Sequence, residues 1–228
     1  MLNFDNLFRR VMIQPTIGIV ATVLSYYDFL PGWCESINAL NRQPDKIVIA
    51  AHDAEQTAKV VKPFLNATVL QVDEDFSWGL YLNKAVEACE TDWIAWIGVD
   101  DRYRPCALDG IDKVSADLVG FGMKYQKDGR EWHYKGRIQD WPHYNPLPPG
   151  SPFRRGLWEK LPFQSQLSWP DLGFWASSHF LGANVIGTGR VDFDYAYHSS
   201  QVDTPPEVNE KHLADICNWI STLHTQSS

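Results

Sequence analysis

The chain has 228 residues, of which 44% are hydrophobic and 21% charged. That is long enough to bury one large core or two small ones, and too apolar for a disordered chain except at its ends. The formal charge of −8 argues against a broad nucleic-acid footprint, because such a surface repels phosphate on average. Cys34, Cys89, Cys106 and Cys217 lie far apart and form no C-x-x-C pair, which disfavours a zinc site or a disulfide scaffold. Reduced thiols in a cytoplasmic protein are expected. The first ten residues lack the basic-then-apolar order of a signal peptide. The longest apolar run, residues 17–24, is too short for a transmembrane segment.

Apolar runs alternate with helical stretches through the first half. Residues 16–24 are short and β-branched, which predicts a buried strand. Residues 31–41 predict a helix, with Pro31 suited to an early helical position. Residues 46–51 predict a second strand, 54–64 a helix broken at Pro63, and 67–72 a third strand. Residues 78–90 predict a helix with Leu82, Ala85, Val86 and Cys89 on one face. Residues 93–99 predict a fourth strand, apolar on both faces.

The second half changes character. Residues 117–121 predict a strand. Asp128-Gly129 between two aromatic-rich runs predicts a hairpin over 123–135. Prolines crowd residues 142–152, interleaved with aromatics that favour burial, so this loop is expected to cross the ligand-binding face. Residues 171–181 predict a helix and 184–186 a short strand. Residues 207–223 predict a terminal helix with Leu213, Ile216, Trp219 and Ile220 on one face. The expected fold is α/β: one domain over residues 1–228, with a mostly parallel, Rossmann-like sheet flanked by helices and a small antiparallel hairpin region. Its parts are a nucleotide-binding half (16–101), an acceptor-binding half (102–200) and a C-terminal helix (205–224).

Ligands of such sheets sit at the carboxyl ends of the strands. Thr22, Asp53 and the pair Asp100-Asp101 fall there. Two acids ending an apolar strand suit a hard divalent cation, Mg²⁺ or Mn²⁺, which in turn bridges a diphosphate. They also suit a plain polar turn. Asp53 suits the N-cap of the next helix as well as a nucleotide base. Asp171 after Pro170 also makes a good helix start.

Residues 76–101, with Gly79, Asn83, Lys84 and Ala85 followed by the run Ile97-Gly98-Val99-Asp100-Asp101, resemble the inverting family 2 glycosyltransferases of the GT-A fold. Gly98 stands where the family pattern has its first acid, and Asp100 and Asp101 take the last two acidic places. The resemblance extends upstream to Thr22, Tyr26 and Asp53. Downstream it reaches Phe153-Arg154-Arg155, the run Trp169-Pro170-Asp171 and the late strand ending at His198. It implies a donor site of Thr22, Tyr26, Asp53, Asn83, Lys84, Val99, Asp100 and Arg155. It implies metal ligands Asp100, Asp101 and His198, with Asp171 as catalytic base. Trp169, beside that base, is expected to contact the acceptor or the donor sugar, since indole faces pack well on sugar rings.

The function so implied is metal-dependent transfer of a sugar from a UDP- or GDP-sugar donor to an acceptor with a free hydroxyl. Two other readings stay open. One is a non-catalytic nucleotide-sugar-binding protein, to which Gly98 and Pro170 in acidic places would point. The other is a glycosyltransferase acting on modified nucleic-acid bases, which a mutant series at Lys124, Lys127, Arg130, Lys135 and Arg137 would test. A sugar nucleotidyltransferase is disfavoured, because no Gly-rich basic loop follows the first strand.

Overall fold

The β-branched run after Thr16 forms β1 (Ile17–Val23), buried at every position. Because successive side chains of a strand point to opposite faces, β1 serves two cores. Ile17, Ile19, Ala21 and Val23 join α1 (Leu30–Asn38) and α2 (Ala54–Val61) on one face. Val20 joins Val48 and Ala50 of β2 (Lys46–Ala51) and the buried face of α3 (Trp78–Cys89) on the other. At Gly18 the helix end comes so close that a Cβ would stand 2.1 Å from Cys89 Sγ and 2.5 Å from Thr91 Oγ1.

A computed structural model describes residues 14–74, 77–141, 145–197 and 206–226. The strands β3 (Thr68–Gln71), β2, β1 and β4 (Trp93–Trp96) pair in parallel in that order. Local signals punctuate the helices between them. Asp53 caps α2 by accepting the Gln56 N–H at 2.9 Å, and Pro31 sits in the first turn of α1. Glu90 closes α3 in the left-handed conformation with φ 56°.

Beyond β4 the sheet becomes mixed. β8 (Phe153–Arg154) runs antiparallel to β4 and bridges it to β6 (Leu118–Tyr125). β6 pairs in parallel with β9 (Val185–Tyr195), whose far edge carries β5 (Arg102–Tyr103) antiparallel. β7 (Glu131–Trp132) folds back on β6 as a hairpin, giving a nine-stranded sheet. The Asp128-Gly129 turn forms as expected, with Gly129 at φ 72° and its N–H donated to the Tyr125 carbonyl at 2.8 Å. The expected α/β architecture is thus present.

Both helices between the first three strands end three residues early and β6 runs four residues past its expected end, and two further differences bear on the site. The fourth strand stops at Trp96 rather than residue 99, because the chain turns there into the acidic segment. The short strand expected over 184–186 runs on to Tyr195 as one strand of 11 residues. Its glycines and polar residues broke the apolar pattern, but β6 supplies the pairing, and the register slips between Gly120 and Met123. Asp192 within it is fully buried and held by Arg190 Nε at 2.8 Å and the Gly122 N–H at 2.9 Å.

After β8 come the short α4 (Arg155–Trp158) and α5 (Pro170–Phe180), which is buried over most of its length. Its Phe174 and Trp175 pack with Phe153 and Phe163, and α6 (Pro206–Gln226) covers it from behind. Ile216 is buried against Leu172 and Ala176, and Trp219 Nε1 donates to Ser177 Oγ at 3.2 Å. Among the described residues, no helix is long and apolar enough to cross a membrane.

Candidate active site

Where β4 ends, the backbone folds into a tight turn, with the Asp101 N–H donated to the Gly98 carbonyl at 3.1 Å. The chain then enters β5 at once, so the two acids are clamped between strands. Asp101 is 4% exposed, and its Oδ1 accepts the Ala196 N–H from the end of β9 at 2.8 Å. Burial pushes its carboxyl well above the ordinary value, and the neighbouring charge of Asp100 adds to this. Arg102 points the other way, donating to the carbonyls of Val99, Asp101 and Phe29.

Above this turn lies a cavity of about 930 Å³, at the upper end of the size range for small-molecule sites. Gly98, Asp100 and Asp101 form part of its wall, and Ser168, Trp169, Pro170 and Asp171 form another. Asn145, Pro148 and Pro149 line it from the proline-rich loop. Tyr195 couples these walls. Its phenol is raised by burial first, then by the charges of Asp101, Asp100 and Asp171.

Asp171 stands in the first turn of α5 and is 9% exposed. Asn145 Nδ2 donates to its Oδ2 at 2.7 Å. Burial raises its carboxyl above the ordinary value, against the opposing pull of the Leu172 N–H and of Asn145. A carboxylate held at a helix N-terminus, oriented by one amide and raised by burial, is a competent proton acceptor. Trp169, half-buried, caps the same helix and meets the His212 ring of α6 edge-on at 4.8 Å.

Gly98 opens a space beside the two acids. A Cβ there would lie 2.5 Å from Asp100 Oδ1 and 3.5 Å from Asp101 Oδ2. The missing side chain therefore leaves a cradle on which two carboxylate oxygens converge. Hard oxygen donors that otherwise repel one another suit Mg²⁺ or Mn²⁺ completed by water and phosphate oxygens. Among the described residues, no cluster of three potential ligands forms. His198 lies outside the described residues.

The fold superposes on solved structures of glycosyltransferases. TarS residues 1–349 from S. aureus, in complex with UDP-GlcNAc, superposes with a TM-score of 0.70 at 15% identity, over 82% of this chain and 60% of that one. The Pyrobaculum calidifontis mannosyltransferase with GDP-Man and Mn²⁺ gives 0.66 at 15% identity, over 83% and 59%. The Mycobacterium tuberculosis glucosyl-3-phosphoglycerate synthase with Mn²⁺, UDP and glucosyl-3-phosphoglycerate gives 0.62 at 16%, over 89% and 77%. The chain has the GT-A fold. No family model matches the sequence, and no curated protein matches it. The chain spans about 60% of the length of the TarS fragment.

The expected donor residues divide into four groups. Asp100 is the one that lines the main cavity. Thr22, Tyr26 and Asp53 lie around the carboxyl ends of β1 and β2, outside it. Thr22 is buried within β1, Tyr26 packs edge-on against Phe29 at 5.9 Å, and Asp53 is the α2 cap. Burial, then the charge of Asp53, raises the Tyr27 phenol, so these two groups are neighbours. Val99 is buried, with its carbonyl engaged by Arg102.

Asn83, Lys84 and Arg155 do not join the acidic turn. Asn83 clasps the segment after α4, accepting from Trp158 Nε1 and the Phe163 N–H and donating to the Phe163 carbonyl at 2.8 Å. Lys84 pairs with Glu74 at 3.1 Å beside a smaller, separate cavity. Arg155 binds the α3 carbonyls of Val86 and Glu87, and its own N–H meets the Asp92 carbonyl. That is the amino end of β4, a strand's length away from Asp100, because strands rise about 3.3 Å per residue.

Sequence reasoning missed the aromatic part of the wall and took up its cations only as a test of a nucleic-acid acceptor. Trp78, Trp96, Tyr125, Trp132, Tyr195 and Tyr197 give it aromatic faces, and Lys127, Arg130 and Lys135 bring cations from the hairpin. The Asp-Gly turn flanked by aromatics was the available signal, but it marked a hairpin without showing what the hairpin faces.

Proposed function

We propose that this chain is an inverting glycosyltransferase that moves a sugar from a UDP- or GDP-sugar donor to an acceptor hydroxyl, with Asp171 as the base. The observation that carries this reading is one cavity walled both by the acidic turn at the end of β4 and by a buried carboxylate on α5. The solved relatives support the donor class, since their structures hold UDP-GlcNAc, GDP-Man or UDP.

Asp100 would hold a divalent cation, Mg²⁺ or Mn²⁺, with Asp101 beside it and His198 as a third ligand. Such a cation supplies Lewis-acid stabilisation of the departing diphosphate. Thr22, Tyr26 and Asp53 would take the nucleoside end of the donor at the carboxyl ends of β1 and β2. Asp171 accepts the proton of the acceptor hydroxyl, and the oxygen attacks the anomeric carbon. The bond to the diphosphate breaks with its electron pair leaving on the diphosphate. Attack from the opposite face inverts the anomer. Asn145 keeps the carboxylate aimed, and Trp169 offers an indole face to a sugar ring. The four unpaired thiols suit a reducing, cytoplasmic setting, which is part of this proposal.

The deciding experiment is a thermal-shift screen of UDP, GDP and their sugars with and without Mn²⁺, followed by product analysis of the best donor. A ligand that binds the native state raises its apparent stability. A Mn²⁺-dependent shift with product of inverted configuration supports the reading. Donor binding with no transfer to any acceptor would leave a nucleotide-sugar-binding protein instead. Retained configuration would remove Asp171 as the base of a single displacement.

A further inference from the structure

Between the acidic turn and the base stands one aromatic side chain. Tyr195 is the last residue of β9 and lines the cavity. Its backbone is held from two directions. Its carbonyl accepts the Gln126 N–H at 3.0 Å, and the next residue, Ala196, donates its N–H to Asp101 Oδ1 at 2.8 Å. The ring packs on the core to which Phe121 and Phe193 belong, and it meets the Tyr125 ring edge-on at 5.7 Å. A ring so held by packing presents its hydroxyl with little freedom. The charges of Asp101 and Asp100 on one wall and of Asp171 on the other all act on this phenol, so it lies within electrostatic reach of both walls.

We propose that Tyr195 contacts the transferred sugar and helps to set which sugar the site accepts. This rests on the glycosyltransferase reading and deepens it by a specificity-determining residue of the same site. The order of groups in a single displacement gives the reason. The diphosphate lies at the cation and the acceptor hydroxyl at the base, so the sugar ring that changes partners lies between them. In this cavity the residue within reach of both Asp100 and Asp171 is Tyr195. A phenol keeps its proton well beyond neutral pH, so it adds no further negative charge beside three carboxylates. It also both donates and accepts, and so meets a ring hydroxyl while engaged elsewhere. A sugar whose hydroxyl falls in another place leaves that bond unmade, and a site built to bond a hydroxyl rejects such an analogue.

The test compares a nucleotide with its sugar. The full chain and its Tyr195→Phe variant, which keeps the ring and loses the hydroxyl, are titrated by calorimetry with Mn²⁺. The ligands are the nucleotide-sugar that the thermal-shift screen selects and the matching UDP or GDP. The variant should bind the nucleotide-sugar about three- to tenfold more weakly, the size of one hydrogen bond. Its affinity for the nucleoside diphosphate and its melting temperature should stay at wild-type values. A loosened site would weaken both ligands alike, so the difference between them reports contact with the sugar. A second measurement does not depend on the variant. In a chain carrying 3-fluorotyrosine at position 195, the fluorine resonance should shift further with the nucleotide-sugar than with the nucleoside diphosphate. Undiminished nucleotide-sugar affinity in the variant, or equal fluorine shifts with the two ligands, overturns the proposal. An equal loss of both affinities overturns it too, because Tyr195 would then serve the diphosphate or the scaffold. If the wild type binds no nucleotide at all, the glycosyltransferase reading itself fails and this inference falls with it.

Discussion

The sheet is built in two ways on either side of β4. From β3 to β4 it is parallel, its inner strands are apolar on both faces, and its helices follow in regular alternation. From β8 to β5 it is mixed, with two-residue strands, a slipped register and charged residues buried at Asp101, Asp171 and Asp192. Both sides bury apolar area, and the second adds individual polar contacts within it. The proposed chemistry falls on the second side, where a buried carboxylate that costs stability can also be a base.

The sharpest way to break this comparison is to remove the base. Asp171→Asn keeps shape and hydrogen bonding but cannot accept the proton. Turnover should fall by roughly 10²–10⁴-fold, while the donor dissociation constant stays near wild type. Steady-state rates beside calorimetric donor titrations check this, and an unchanged rate would take the catalytic role away from Asp171.

Much of the first side was legible because its signals are local. β-Branched runs, an Asp cap and an early proline each act within a few residues, and the strands and helices form close to where those signals place them. Asp171 and Trp169 were singled out for a different reason, the resemblance of the motif around them to that of a known family, and both line the cavity. The cavity's aromatics were not legible, and its cations stood out only as a test of a nucleic-acid acceptor. A charged hairpin has the same local pattern whether it faces water or a ligand, and only the pairing of β6 with β9 decides which. Arg155 shows the converse, a motif residue that the fold carries to the wrong end of β4 for a phosphate contact.

Asn83 tests whether a motif residue serves the donor or the scaffold. Its amide makes three hydrogen bonds to Trp158 and Phe163 across 75–80 residues of sequence. Asn83→Ala should strand the Phe163 backbone groups and cost about 2–3 kcal/mol, since each unpaired group costs about 1–3 kcal/mol when buried. In a chain of this size that lowers the melting temperature by about 2–4 °C per kcal/mol. Nucleoside diphosphate affinity should not change. A loss of affinity with an unchanged melting temperature would place Asn83 in the donor site.

Asp100 makes the opposite prediction. It faces the cavity and the Gly98 cradle, so Asp100→Ala should leave the fold intact. The gain in nucleotide affinity on adding Mn²⁺ should fall about tenfold or more, read by calorimetry with and without the metal. A variant that keeps the full Mn²⁺ effect would assign the cation to other ligands.

The smallest effect sets stability against function at one side chain. Burial raises the Asp171 carboxyl above its ordinary value, so folding favours the protonated form. That contribution is fully present below the ordinary carboxylate value and is lost as pH rises through the raised native value. At neutral pH the wild type therefore carries the cost of a buried carboxylate, which a neutral amide avoids. Asp171→Asn should melt slightly higher than wild type at pH 7, by less than the Asn83→Ala decrement, and the two curves should converge as pH falls toward the ordinary carboxylate range. Turnover runs the other way, since the base acts only when ionised and the rate climbs through the same native value. Melting curves and pH–rate profiles should thus cross one window with opposite slopes. If the Asn variant melts lower at every pH, the carboxylate's bond to Asn145 outweighs its desolvation, and the side chain is better described as part of the scaffold than as a poised base.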